Sequence, residues 1–195
     1  EQDKGGLNAM ALAAYRGKAD VIKAIYELDS ELLKEQNLGG YNAMTLAAYK
    51  GQVDVIKAIY KLDSELLKEQ DEAGLNAMTR AAFSGKVDVI KAIYKLDSEL
   101  LKEQEKGGLN AMARAAYRGQ VDVIKAIYKL DSELLKEQDR GGWNAMTTAA
   151  NEGQVDVIKA IYELDSELLK EQDGRGRNAM TKAAYEGQVD VIKAI

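Results

Sequence analysis

Few side chains in this sequence are equipped for catalysis. The chain has no His and no Cys. That removes imidazole bases, thiol nucleophiles, disulfides and the usual zinc and haem ligands. Two neighbouring acids could serve as general acid and base. The pair Asp29 and Glu31 recurs at Asp63/Glu65, Asp97/Glu99, Asp131/Glu133 and Asp165/Glu167, which suits a solvated linker better. Turn glycines such as Gly39-Gly40 lack the Lys and Ser/Thr of a phosphate loop. Binding chemistry is better represented, because cations and aromatics gather at a few recurring positions. The sequence thus predicts a non-enzyme without metal or cofactor.

Those positions recur because the chain repeats. Val53-Asp54-Val55-Ile56-Lys57-Ala58-Ile59-Tyr60 returns at Val87, Val121 and Val155, and at Ala19 with Ala for Val. Copies start at Glu1, Glu35, Glu69, Glu103, Glu137 and Glu171, a period of 34 residues. A fixed period in this range marks a solenoid. The predicted organisation is one solenoid of six repeats: 1–34, 35–68, 69–102, 103–136, 137–170 and an incomplete 171–195. With 30% charged and 46% hydrophobic residues the chain is apolar enough to fold. No stretch approaches the roughly 20 apolar residues of a membrane span. No targeting signal is evident, which is compatible with cytoplasmic expression and leaves localisation open.

Each copy predicts two helices. In the second, Asn37-Leu38-Gly39-Gly40 is a turn, and Gly40 has a Gly equivalent in every copy, as a positive-φ position requires. Asn42 is an N-cap and Gly51 a C-terminal stop. Between them Met44, Ala47 and Ala48 are identical in all copies and form one face at i, i+3, i+4 spacing. The varied Thr45, Leu46, Tyr49 and Lys50 are expected on the opposite face. A second helix starts near Val53, apolar nearly all round apart from Asp54, Lys57 and Lys61, as for the middle of a stack. Asp63-Ser64 caps a last short turn, Glu65-Leu66-Leu67.

Gly40-x-Asn42-Ala43-Met44-Thr45-x-Ala47-Ala48-x-x-Gly51-x-Val53-Asp54-Val55-Ile56-Lys57 resembles the ankyrin repeat, which reads G-x-T-P-L-H-x-A-A-x-x-G-H-x-E-I-V-K. Asn42 stands for the capping Thr, Ala43 for the Pro, Met44 for the Leu and Thr45 for the His. The period of 34 exceeds the family's usual 33 and fits the Leu62–Leu67 linker. A tetratricopeptide repeat also has 34 residues, but its first helix is longer than the stretch between Asn42 and Gly51. The resemblance implies an all-α helix-turn-helix solenoid with short hairpin turns. It also implies a concave face, lined by turn tips and first helices, that binds other proteins.

The copies differ mainly in six columns, those of Lys4, Gly5, Leu7, Leu12, Tyr15 and Arg16. Four further columns hold two or three alternatives: Asp3/Asn37/Glu105, Ala11/Thr45, Lys18/Gln52 and Glu27/Lys61. Exposed residues such as Lys23, Glu31 and Lys34 never change, although many residues would serve there. That pattern, with no Pro and good helix formers on the surface, suits an idealised, designed repeat. A recent tandem duplication is the competing origin.

The six columns carry eleven cations and three acids, a net +8 on a chain of net −5. With their aromatics, which are among the residue types common at binding hot spots, they read as a basic, aromatic paratope for an acidic protein. The candidate contacts from the first three copies are Lys4, Leu7, Leu12, Tyr15, Arg16, Leu38, Tyr41, Leu46, Tyr49, Lys50, Leu75, Arg80 and Phe83. From the last three they are Lys106, Leu109, Arg114, Tyr117, Arg118, Arg140, Trp143, Thr148, Asn151, Arg175, Arg177, Lys182 and Tyr185. A nucleic-acid backbone is disfavoured by the acidic remainder. The alternative function is an idealised scaffold made for stability or end-to-end assembly, with no target. The first and last copies keep the interior apolar columns, so the sequence also predicts head-to-tail self-association.

Overall fold

A repeat of this length cannot enclose its own apolar surface, so its helices must pack on those of the next copy. The computed structural model describes residues 2–195. They form two compact units, one ending at Leu101 and the other spanning Lys102–Ile195. The first unit contains α1 (Ala9–Tyr15), α2 (Ala19–Leu28), α3 (Ala43–Lys50), α4 (Val53–Leu62), α5 (Ala77–Phe83) and α6 (Val87–Leu96). The second contains α7 (Ala111–Tyr117), α8 (Val121–Leu130), α9 (Ala145–Asn151), α10 (Val155–Leu164), α11 (Ala179–Tyr185) and α12 (Val189–Ala194). No strand occurs among the described residues. None of their helices is long and apolar enough to cross a membrane. The all-α helix-turn-helix architecture predicted from the repeat is the one observed.

Local chemistry sets the helix ends. The Asn42 side chain accepts from the Thr45 N–H, and its equivalents from Asn8 to Asn178 cap the other first helices in the same way. α3 ends on Gly51, which is left-handed at φ 86°. Second helices have no side-chain N-cap. In three repeats a Gln at that position reaches back to the preceding first helix: Gln52 donates to the Tyr15 carbonyl at 3.3 Å, Gln154 to Tyr117 and Gln188 to Asn151. Asp63 caps the 3-10 turn Ser64–Leu67 by accepting from the Glu65 N–H at 3.1 Å.

Within each unit, first helices stack on first helices and second on second: α1–α3–α5 and α2–α4–α6, then α7–α9–α11 and α8–α10–α12. Met44, Ala47, Ala48, Val55, Ile56 and Ile59 are buried at these seams, as are Leu66 and Leu67 below them. Small alanines let the first helices approach closely, as their identity in every copy predicted. One expectation fails. Thr45 is buried rather than on the open face, and its hydroxyl donates to the Asn42 carbonyl at 3.1 Å.

Polar links cross the same seams. The Asn42 amide donates to Glu69 at 2.9 Å, as Asn8 does to Glu35, Asn110 to Glu137 and Asn144 to Glu171. Lys34 pairs with Asp63 at 3.1 Å and Lys136 with Asp165 at 3.2 Å. The hydrogen bond and charge of each Asp raise the pKa of its lysine. Lys34 therefore has a structural reason to recur, contrary to its reading as a freely replaceable surface residue.

Gly40 and Gly176 are both left-handed, at φ 71° and 74°. Their surroundings differ. A Cβ on Gly40 would lie 2.5 Å from the Glu72 backbone nitrogen, whereas the nearest atom to one on Gly176 is Gln172 Oε1 at 3.9 Å. Gly176→Ala should cost only the left-handed strain, about 1–2 kcal/mol. Gly40→Ala should cost clearly more, because backbone must also move. Urea denaturation of the two variants measures the difference, and equal losses would contradict the crowding at Gly40.

Candidate binding face

The varied columns lie beside a recurring Asp, Asn or Glu at the start of each turn. Where it is Asp or Asn, one side-chain oxygen makes the turn. Asp3 Oδ1 accepts from the N–H groups of Gly5 and Leu7 at 2.8 and 2.9 Å, and Asn37 Oδ1 from Gly39 and Tyr41 at 2.9 and 3.0 Å. Asp139 and Asp173 repeat the arrangement. In an aspartate the other oxygen remains free to face a cation on the first helix.

In the first unit, Asp71 Oδ2 receives Arg80 through both Nε and Nη2, and both side chains are buried. The Arg80 guanidinium also lies 4.7 Å from the Tyr41 ring centroid and 5.3 Å from that of Phe83. In the repeat before, Asn37 has no second carboxylate oxygen, and the position equivalent to Arg80 is the buried Leu46. Lys50 sits 4.3 Å from the Tyr15 ring centroid, and its hydrogen bond and charge lower the Tyr15 pKa.

In the second unit Asp173 follows the same scheme, whereas neither Glu105 oxygen accepts a turn hydrogen bond. Glu105 is ion-paired with Arg114, whose guanidinium stands 5.3 Å from the Tyr117 ring. Asp173 Oδ2 is 3.0 Å from both Arg177 Nη2 and Lys182 Nζ. Lys182 is only 1% exposed and lies over Trp143, 3.2 Å from the ring centroid. Burial raises the Asp173 pKa, but the Arg177 N–H, the Lys182 ammonium, the Arg175 N–H and the Arg177 guanidinium outweigh it. The carboxyl is held well below the usual range. For Lys182, burial dominates and pushes the ammonium pKa down, against the pull of Asp173.

The predicted contacts are therefore not one exposed set. Lys4, Leu12, Arg16, Leu38 and Tyr49 are exposed in the first unit, and Lys106, Arg118, Arg140, Arg175 and Tyr185 in the second. Leu7, Tyr15, Tyr41, Lys50 and Phe83 are half-buried, as are Leu109, Arg114, Tyr117, Trp143, Asn151 and Arg177. Leu46, Leu75, Arg80, Thr148 and Lys182 are buried, contrary to the expectation that the varied columns face solvent. In the column that begins at Leu12, Leu46, Arg80, Thr148 and Lys182 are buried, Arg114 is half-buried and only Leu12 itself is exposed.

Sequence reading missed the turn acids. Counting Asp3, Asp71, Glu105, Asp139 and Asp173 with the six columns reduces their net charge from +8 to +3. A signal was available. Every helix cation in this column has an acid nine residues before it, and the one turn without an acid, at Asn37, has Leu46 nine residues on.

No protein-family model and no curated protein matches the sequence. Among solved structures the chain is similar to a crystal structure of EF0377, an ankyrin repeat protein. The TM-score is 0.73 at 21% identity, over 96% of each chain. The fold is that of the ankyrin repeat. The chain is also similar to a chain of the complex between Bd0816, a predatory endopeptidase from Bdellovibrio bacteriovorus, and the immunity protein Bd3460. That match has a TM-score of 0.69 at 20% identity, over 100% of this chain and 97% of the other. Likeness at this identity carries the fold alone. Within the ankyrin-type repeat of this chain, Asn42 caps the first helix from the position where the resemblance places the family's Thr.

Two expectations test the turn acids. Asp71→Asn should destabilise the chain by about 3–5 kcal/mol, since it strands a buried guanidinium. Asp71→Asn with Arg80→Leu should recover most of that loss, because it installs the Asn37/Leu46 pair of the second repeat. A double-mutant cycle by chemical denaturation reads both, and a double variant as unstable as the single one would refute the pairing. For Asp173 the folded pKa is depressed. Its stabilisation is full above the unfolded value of about 3.9 and is lost as pH falls through the lower folded value. The melting-temperature gap between wild type and Asp173→Asn should hold at neutral pH and narrow from about pH 4 toward about pH 2. A gap independent of pH would exclude the carboxylate as its source.

Proposed function

We propose that the chain is a non-catalytic, engineered protein-binding scaffold that presents its turn tips and first helices to a partner. One observation carries this reading. Columns that vary between otherwise identical copies place large apolar and aromatic side chains in solvent. Leu38 is 75% exposed and Tyr185 77% exposed, and Leu12 and Tyr49 are exposed with them. Idealisation for folding alone gives no reason to put Leu at a turn tip. Near-identity at exposed framework positions such as Lys23 and Glu31 supports the engineered origin.

Buried ion pairs make this face less basic than its cations suggest. Lys4 and Arg16 in the first unit, and Lys106, Arg140 and Arg175 in the second, are exposed and make no ion pair among the described residues, and they favour an acidic partner.

A second reading, an idealised scaffold that assembles end to end without a target, is favoured by the outer repeats. Val21 and Leu28 are exposed in the first and Met180, Val189 and Ile192 in the last, while the interior equivalents Val55, Met44 and Ile56 are buried. A second copy stacked head to tail would cover them, as would further repeats of a longer chain.

Capture of a partner by the immobilised chain tests the first reading. Leu38→Ala with Tyr49→Ala should weaken a partner seated on the first unit by about 2 kcal/mol or more, and added salt should slow its association. A partner whose footprint lies wholly on the second helices would end this proposal. Light scattering over a concentration series tests the second. Mass should rise with concentration and stay monomeric in Val21→Glu.

A further inference from the structure

The second helices carry a feature that the binding-face reading does not use. Between α4 and α6, within the first unit, lies an open cavity of about 440 Å³, within the range of small-ligand sites. Its floor is apolar: Val53, Tyr60, Ala92 and Leu96. The Tyr60 hydroxyl donates to the Leu96 carbonyl at 3.3 Å, which closes the floor at one side.

Four lysines ring this floor. Lys57 and Lys61 stand one turn apart on α4, and Lys91 and Lys95 one turn apart on α6. None of the four makes an ion pair among the described residues. Asp88 is the one acid in the lining, leaving a net charge of +3 around the groove. Like charges at i, i+4 repel, so an anion here would relieve repulsion as well as gain attraction. The lysine stems extend the apolar floor while their ammonium groups stay at the rim.

Other seams inside the two units lack this charge. At the equivalent seam of α2 and α4, Glu27 stands where Lys61 does here, and Lys23 is drawn to Asp20 at 3.2 Å. At that of α8 and α10, Glu163 stands where Lys95 does. Each of those seams has a net charge of only +1. The Glu27/Lys61 column, one of the few second-helix positions that changes, makes the difference.

We propose that the α4/α6 groove binds a single-chain amphipathic anion, with an alkyl tail on the Val53–Tyr60–Leu96 floor and a carboxylate or sulfate head among the four ammonium groups. Apolar length supplies the contact area and the lysine ring selects the sign of the head.

The test uses the full chain with decanoate below its micelle concentration, followed by calorimetry and by backbone amide shifts. Decanoate should bind with shifts centred on Tyr60, Ala92 and Leu96. Decyltrimethylammonium, with the same tail and the opposite charge, should bind at least about tenfold more weakly. Lys61→Glu with Lys95→Glu should weaken decanoate by about tenfold or more. The chain already carries Glu27 and Glu163 at this column, so the variant should keep the wild-type melting temperature. Equal affinity for both amphiphiles, an unchanged variant, or shifts centred on the exposed Val21, Leu28 and Val189 would overturn the proposal. So would a groove that takes an acidic peptide but not decanoate.

Discussion

Each repeat must bury its Met, Ala, Val and Ile columns against the next copy, and the other features of the molecule follow from that requirement. Neither helix of a repeat is long enough to hold its shape alone in water. Helix ends, turns and cross-seam polar links therefore all serve the spacing between copies. The Asn42 column shows the economy of this. Its side-chain oxygen caps its own helix while its amide nitrogen holds the Glu that opens the next repeat. Lys34 and Asp63 join the same two repeats from the linker side. A framework residue that touches both its own copy and the next cannot change in one copy alone.

The turn acid applies the same logic on the other side of the molecule. An aspartate has two oxygens. The turn needs one of them, so the second must find water or a cation. Where the first helix supplies Arg80 or Lys182, the pair is buried and an aromatic from the preceding turn, Tyr41 or Trp143, covers the cation. Where the turn carries Asn37, an apolar Leu46 takes the place. Both solutions suit one backbone. Breaking one side of such a pair leaves an unpaired buried charge, whereas replacing both sides need not destabilise. Residues varied between copies can thus serve folding as well as recognition, and the degree of burial separates the two roles.

Two surfaces remain after that separation. The turn tips and first helices offer the exposed Leu38, Tyr49 and Tyr185 together with exposed cations such as Lys4, Arg16 and Arg140. The second helices of the first unit offer an apolar groove inside a lysine ring. The first surface differs in every repeat. The second comes from a framework that is nearly constant, so one Glu/Lys column is enough to distinguish its seams.

Much of this was legible in the sequence because a repeat compares the chain with itself. The period, the two helices per copy, the Asn cap, the left-handed glycines and the buried alanines depend on interactions a few residues apart or on strict identity between copies. Helix periodicity also set the varied side chains opposite the Met and Ala face, and there the reading ran out. Periodicity gives the angle of a side chain around its own helix, but not what lies over that angle. The turn folds back across the first helix, so Arg80, Thr148 and Lys182 are covered while Tyr49 and Arg16 are open. The same limit hid the lysine groove, whose four charges sit on two helices that are neighbours in space and 34 residues apart in the chain. Sequence determined which residues recur and what local structure they form. Tertiary structure decided which charges meet each other and which are left facing solvent, because that depends on distances between copies.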